Sequence, residues 1–236
     1  MSLALVAIVL AICAGAVVAV STRDSGAAAI GLAVSLVAAA LLVEPLPSAA
    51  ILGVRIMAAL LVATIIRAAL RGGPRQPSPL GWPAEALLAT AGAIAGVGLA
   101  VGLAALAAPA SPGGPGPITP GAPPVHGSVV ITTMALTVAA GTGLLAIGIA
   151  PLVHVRPGGR RAIGLVLVTQ AVLLIRIGIA GPAVELEEIA RAALLVVSAA
   201  TGAALAAATA QARPSASSSD DTEPAVPDRP RGVVAR

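Results

Sequence analysis

Among the polar side chains inside otherwise apolar runs of this chain are Arg55, Arg67, Gln170, Arg176 and Arg191, with Glu44 and Glu188 at run ends. An ionisable group in hydrocarbon costs at least a few kcal/mol unless it is paired or hydrated, so these residues mark either fixed ion pairs or an ion path. Arg67 lies near a run end, where its long stem reaches the surface. Arg191 follows Glu187 and Glu188 by one helical turn, the spacing of a local helix pair. Arg176 is one turn from the end of its run and close to the acidic stretch 185–188, where it pairs or reaches the surface. Of these five, Gln170 is the one nearest the centre of its run. Arg55 falls about 9 Å below the start of its run, among Ile, Leu, Gly, Val, Met and Ala. It reads either as half of a structural ion pair or as a charge beside a partner's water-filled path.

Other chemistry has little to work with. His126 and His154 bracket one apolar run and stand about 40 Å apart on a helix, too far to share a metal or haem iron. The single cysteine, Cys13, offers neither an intramolecular disulfide nor a set of iron–sulfur ligands. No CxxC, phosphate-binding glycine loop, nucleophile motif or metal-ligand spacing is present, and Ser198, beside Ala and Gly, reads as a helix-packing residue. The expectation is a chain with no catalytic site, no metal and no cofactor of its own.

The elements that must position the polar residues are seven apolar runs, 3–20, 27–43, 49–70, 84–108, 128–153, 162–180 and 189–211. Each is long enough to cross a bilayer at about 1.5 Å per residue. With 58% hydrophobic and 10% charged residues and a mean hydropathy of +1.01, the solvent of this chain is lipid. Arg23, Arg71, Arg75, Arg156, Arg160, Arg161 and Arg213 all flank the runs on one side, while Glu44, Glu185, Glu187 and Glu188 lie on the other. This positive-inside distribution predicts an all-α integral membrane protein with seven transmembrane helices, N-out and C-in. The net charge of +4 is therefore a topology signal and not a nucleic-acid footprint. The first run lacks a basic n-region and is followed by Arg23 and Asp24, so it reads as a retained helix rather than a signal peptide. Lys, Phe, Tyr and Asn, whose codons are AT-rich, are absent, which points to a high-GC bacterial genome and a bacterial plasma membrane. The interfacial aromatic belt is reduced to Trp82.

Breaks at 71–83 and 109–127 arrange the runs three, one and three. The chain thus divides into a first three-helix module (1–70), loops with a connector helix 84–108 (71–127), a second three-helix module (128–211) and a disordered cytoplasmic tail (212–236). Gly92 with Gly96, and Gly98 with Gly102, have the spacing that lets helix backbones approach, either within the chain or against another subunit. Residues 20–42 and 153–175 align at an offset of 133 with nine identities, including Ala29–Leu32 against Ala162–Leu165. The offset spans four helices, so the two copies form a weak parallel internal repeat. In that register Arg55 corresponds to Glu188.

The basic loop His154–Arg161 followed by Ile163-Gly164-Leu165 and an apolar helix resembles the K subunit of bacterial complex I and the C subunit of Mrp-type antiporters. Over 3–211 the chain is more similar to the hydrogenase-4 component E family, in size, in the three-one-three arrangement, in Pro182 before Glu185-Leu186-Glu187-Glu188-Ile189, and in Arg55 early in the third span. The resemblance implies an accessory, non-catalytic membrane subunit of a complex I-related, hydrogenase-like assembly. Its partners would be antiporter-like membrane subunits and hydrogenase-like peripheral subunits, and its role to assist proton or cation translocation. Where the K pattern carries membrane glutamates, this chain has Val166 and, approximately, Thr201, and it has no acidic residue near Thr169–Gln170. Scaffolding survives that loss better than proton conduction does. The competing reading is a self-contained transporter or channel for a small solute. The candidate pair or ion-path residues are Arg55, Glu188, Arg176, Gln170 and Glu44.

Overall fold

The computed structural model describes residues 3–22, 24–42, 48–71, 81–107, 133–153, 158–181 and 183–211. Among them the chain is all helical: α1 Leu3–Ser21, α2 Ser25–Leu41, α3 Ala49–Arg71, α4 Gly81–Ala107, α5 Thr133–Val153, α6 Gly158–Ala180 and α7 Glu185–Gln211. Six are long and apolar enough to cross a membrane, and α2, with 17 residues, is the short one. Glu44, Arg23, Arg75, His126, His154, Arg156, Pro182, Arg213, the tail 212–236 and the side chain of Trp82 lie outside the described residues.

Helices α6 and α7 begin before their apolar runs because their first turns are charged. Glu185, Glu187 and Glu188 suit the positive end of α7. Arg160 opposes the dipole of α6, and it is offset from outside: its Nη1 donates to Val20 O at 3.1 Å and its Nη2 to Thr22 O at 3.2 Å. These are carbonyls at the C-terminal end of α1, which the helix itself leaves without partners. Asp24 caps α2 by accepting from the Ala27 N–H at 2.9 Å. Gly181, at φ 83°, stops α6 with its N–H on Ile177 O at 2.9 Å, a left-handed position that favours glycine.

The helices form two rows. In one, α2 packs between α1 and α3, and in the other, α6 packs between α5 and α7. The rows face each other with α1 against α5 and α3 against α7, while α6 touches all three helices of the first row. Ile12, Leu32, Ile66, Leu144, Ile147, Ile163, Leu167 and Leu174 fill the interface. Helix α4 lies outside the rows against α5 and α1.

One close crossing recurs in both rows. A Cβ on Gly15 would sit 2.6 Å from Gly31 O, and a Cβ on Gly164 would sit 2.8 Å from Gly148 O. Gly148 and Gly164 follow Gly15 and Gly31 at the offset that separates Arg55 from Glu188, and Gly15 and Gly148 fall outside the aligned stretch of sequence. The α4 glycines divide. Gly92 and Gly96 press on α5, where Thr142 Oγ1 donates to Gly92 O at 2.7 Å, whereas a Cβ on Gly98 or Gly102 meets nothing within 4 Å. The first pair packs within the chain; the second makes no such contact.

Candidate functional site: an alternating charge ladder

Arg55 projects from the second turn of α3 toward the end of α2 and the first turn of α7. Its Nε donates to Glu188 Oε2 at 2.9 Å, its Nη2 contacts the same oxygen, and its Nη1 donates to Ala40 O at 3.1 Å. That carbonyl belongs to the last turn of α2 and has no helical partner to accept from, so one guanidinium satisfies a helix end and an ion pair together.

The pair continues along α7 and onto α6. Arg191 Nη1 donates to Glu188 Oε1 at 3.1 Å, and its Nη2 to Glu187 Oε1 at 2.7 Å. Glu187 Oε1 also pairs with Arg176 Nη2. The order is Arg55, Glu188, Arg191, Glu187, Arg176, three cations alternating with two anions for a net charge of +1. The ladder is graded by depth of burial: the Glu188, Arg191 and Arg55 side chains are 5%, 8% and 11% exposed, and Arg176 is 42% exposed. Its inner members are thus desolvated, and its outer end is screened like a surface pair.

Between α2, α3, α6 and α7 lies a cavity of about 50 Å³. Arg55, Glu188, Arg191 and Gln170 supply its polar lining, and alanines, leucines and Ile177 the rest. Gln170, ten residues before the end of α6, brings the cavity toward the middle of the bundle. Of the five candidate residues, the structure joins Arg55, Glu188 and Arg176 through the ladder and puts Gln170 on the cavity it borders. Glu44 is outside the described residues. Arg67 is exposed, and Ser198 bonds its own helix at Leu195 O, 2.8 Å away.

The opposite end of the bundle holds residues that sequence reasoning passed over. Glu85, in the second turn of α4, is 1% exposed. An acidic residue near a helix N-terminus is favoured by the dipole whether or not it is buried, so its type gave no sign of its depth. Arg160 read as a topology signal, yet it caps α1. Arg161 carries a buried Nε without a hydrogen-bond partner among the described residues. Midway along α2, where the Ser35 backbone meets Gly15, Ser35 Oγ is likewise buried with no hydrogen-bond partner among the described residues. No group of three or more His, Cys, Asp and Glu among the described residues is arranged to hold a metal ion.

No family model, curated protein or solved structure matches this chain.

Proposed function

We propose that the chain is a non-catalytic, multi-pass subunit of a larger membrane assembly of the complex I-related, hydrogenase-like kind. In this reading it crosses a bacterial plasma membrane seven times, N-out and C-in. It scaffolds antiporter-like subunits beside peripheral hydrogenase-like ones, and so assists proton or cation translocation.

The observation that carries the proposal is the ladder. A relay needs successive groups that gain and lose protons, and three of the five members are arginines, which stay protonated in proteins. Their geometry fits a fixed clamp: one guanidinium joins α2, α3 and α7, and the next links continue to α6. The cavity beside it, about 50 Å³, is room for one or two water-sized bodies. Large apolar side chains left exposed on every helix, Leu10, Ile30, Met57, Leu87, Ile149, Val172 and Val197 among them, supply surface for lipid and for neighbouring membrane subunits.

Purification of the tagged chain in mild detergent tests the reading. Large antiporter-like membrane proteins should come down with it. Recovery only as a monomer or homodimer that moves a small solute in liposomes would replace it with the transporter reading.

A further inference from the structure

We infer that the outward face of α2, built on Ile30, Val34, Val37 and Leu41, is the seat of a helix from a neighbouring membrane subunit, and that this helix presents an uncharged face of leucine and alanine. The inference rests on the subunit reading and names where the neighbour sits.

The internal repeat carries the argument. In the register of 20–42 with 153–175, Ile30, Val34, Val37 and Leu41 of α2 correspond to Ile163, Leu167, Gln170 and Leu174 of α6. All four are buried on α6, and Gln170 and Leu174 border the same cavity as Leu36, Ala39 and Ala40 of α2. On α2 the same positions are open. Ile30, Val34 and Leu41 are 67%, 45% and 36% exposed, against 1%, 0% and 0% for Ile163, Leu167 and Leu174. The opposite faces are exchanged as well. Leu32, Leu36 and Ala39 are buried in the core, whereas at their places on α6 Leu165 and Thr169 are half-buried and Val172 is exposed. The middle helices of the two rows therefore stack front to back, a heterologous contact that does not close on itself. The face by which α6 seats on the first row is left uncovered on α2.

The chemistry of that face selects the occupant. Ala33, Val34, Val37, Ala38 and Leu41 line a shallow open groove with no polar side chain. In lipid, helices associate through close packing, and the alanines at 33 and 38 let another backbone approach. What seats against α6 at the equivalent place is the face of Leu32, Leu36 and Ala39, so a face of that composition fits α2. A second copy of this chain would offer its free α6 face instead. That would press Thr169 and the charged Arg176 toward Val34 and Leu41, where burial of an unpaired charge is costly. Free of its neighbour the α2 face meets lipid, and a helix of 17 residues is short for that. Association is one of the ways in which a short helix relieves such a mismatch.

The test is photo-crosslinking of the tagged full chain in native membranes, with a benzophenone amino acid in place of Val34. The adduct should join one multi-pass protein that also co-purifies with the wild-type chain, and the joined peptide should fall within a membrane span of that protein. Val34→Trp should lower its recovery by roughly tenfold, the weight of one misfitted side chain, and leave the unfolding midpoint of the isolated chain unchanged. Ile30→Ala reads the same contact if the tryptophan variant does not fold. Adducts with lipid alone or with a second copy, or full recovery of the neighbour with both variants, would overturn the assignment. The subunit reading would survive that outcome if membrane proteins still come down with the wild-type chain, whereas a wild-type chain recovered alone would remove both.

Discussion

Arg55 and Glu188 stand 133 residues apart, at matching places in two three-helix rows, and they are bonded to each other. Helices at matching places in the two rows pack together as α3 and α7, so residues in the same register face each other there. Identical charges at that point would repel, and opposite signs turn the contact into a pair.

Removing either partner leaves the other buried and uncompensated. Arg55→Ala and Glu188→Ala should each cost about 3–5 kcal/mol if the pair is fully desolvated. The double variant should cost less than the sum of the two, read from detergent-resistant assembly or thermal unfolding. Simple additivity would mean the residues are uncoupled. If Arg55→Ala leaves assembly intact and instead abolishes ion translocation, the arginine belongs to a transport path.

Reversing the pair is a separate experiment with its own expected answer. Arg55→Glu with Glu188→Arg restores opposite charges but removes the donor to Ala40 O and sets an arginine beside Arg191. The swap should therefore fail to recover wild-type stability. Full recovery would show that charge alone, without the links to α2 and along α7, accounts for the contact.

At the outer end of the ladder the same kind of bond is worth much less. Arg176 is 42% exposed, and Arg176→Ala should shift stability by about 0–1 kcal/mol, with the shift shrinking as salt is raised. A loss as large as that of Arg55→Ala would mean the membrane encloses the whole array.

Arg160→Ala should destabilise by about 1.5–3 kcal/mol, because two charge-assisted bonds to α1 carbonyls disappear and those carbonyls are left without partners. Arg160→Lys should recover only part of this, since an ammonium lacks the fork that reaches Val20 O and Thr22 O together. Hydrogen exchange at the end of α1 would read the effect directly.

Glycines of one type should respond in opposite ways. Gly31→Ala drives a methyl to within 2.7 Å of Gly15 O, and Gly164→Ala to within 2.8 Å of Gly148 O. Each should cost about 1–3 kcal/mol through forced separation of packed backbones. Gly98→Ala and Gly102→Ala enter open space and should be neutral or slightly stabilising in the isolated chain. A loss of assembly from the latter pair would place a neighbouring subunit on that face.

The helices were readable within a few residues, because apolar runs of this length admit little else; α4, α6 and α7 start three or four residues before their runs, and 128–132 of the fifth run lie outside the described residues. The meeting of Arg55 with Glu188 was readable from the register of the two halves. Its bond to Ala40 was not, since a backbone acceptor has no residue-type signature. Glu85 was missed because polarity at a helix start looks the same exposed or buried. The packing of Gly92 and Gly96, but not of Gly98 and Gly102, depended on which side of α4 met α5, and an almost uniformly apolar helix carries no stripe to say so.

Helix α2 has 17 residues, about 25 Å of helix, while α3 has 23, about 34 Å. A hydrocarbon layer is near 30 Å thick, so α2 falls short of it and its neighbour does not. Ile30 and Val34 face outward on that short helix. In the proposed seven-span topology, that mismatch is met beside α2 by local thinning of the bilayer or by snorkelling of flanking residues. Arg55 hydrogen-bonds to the last turn of α2, so the depth to which its guanidinium sinks is set by where that helix ends. In that topology, lengthening α2 by one turn would carry the headgroups away from the arginine without altering the arginine or its helix.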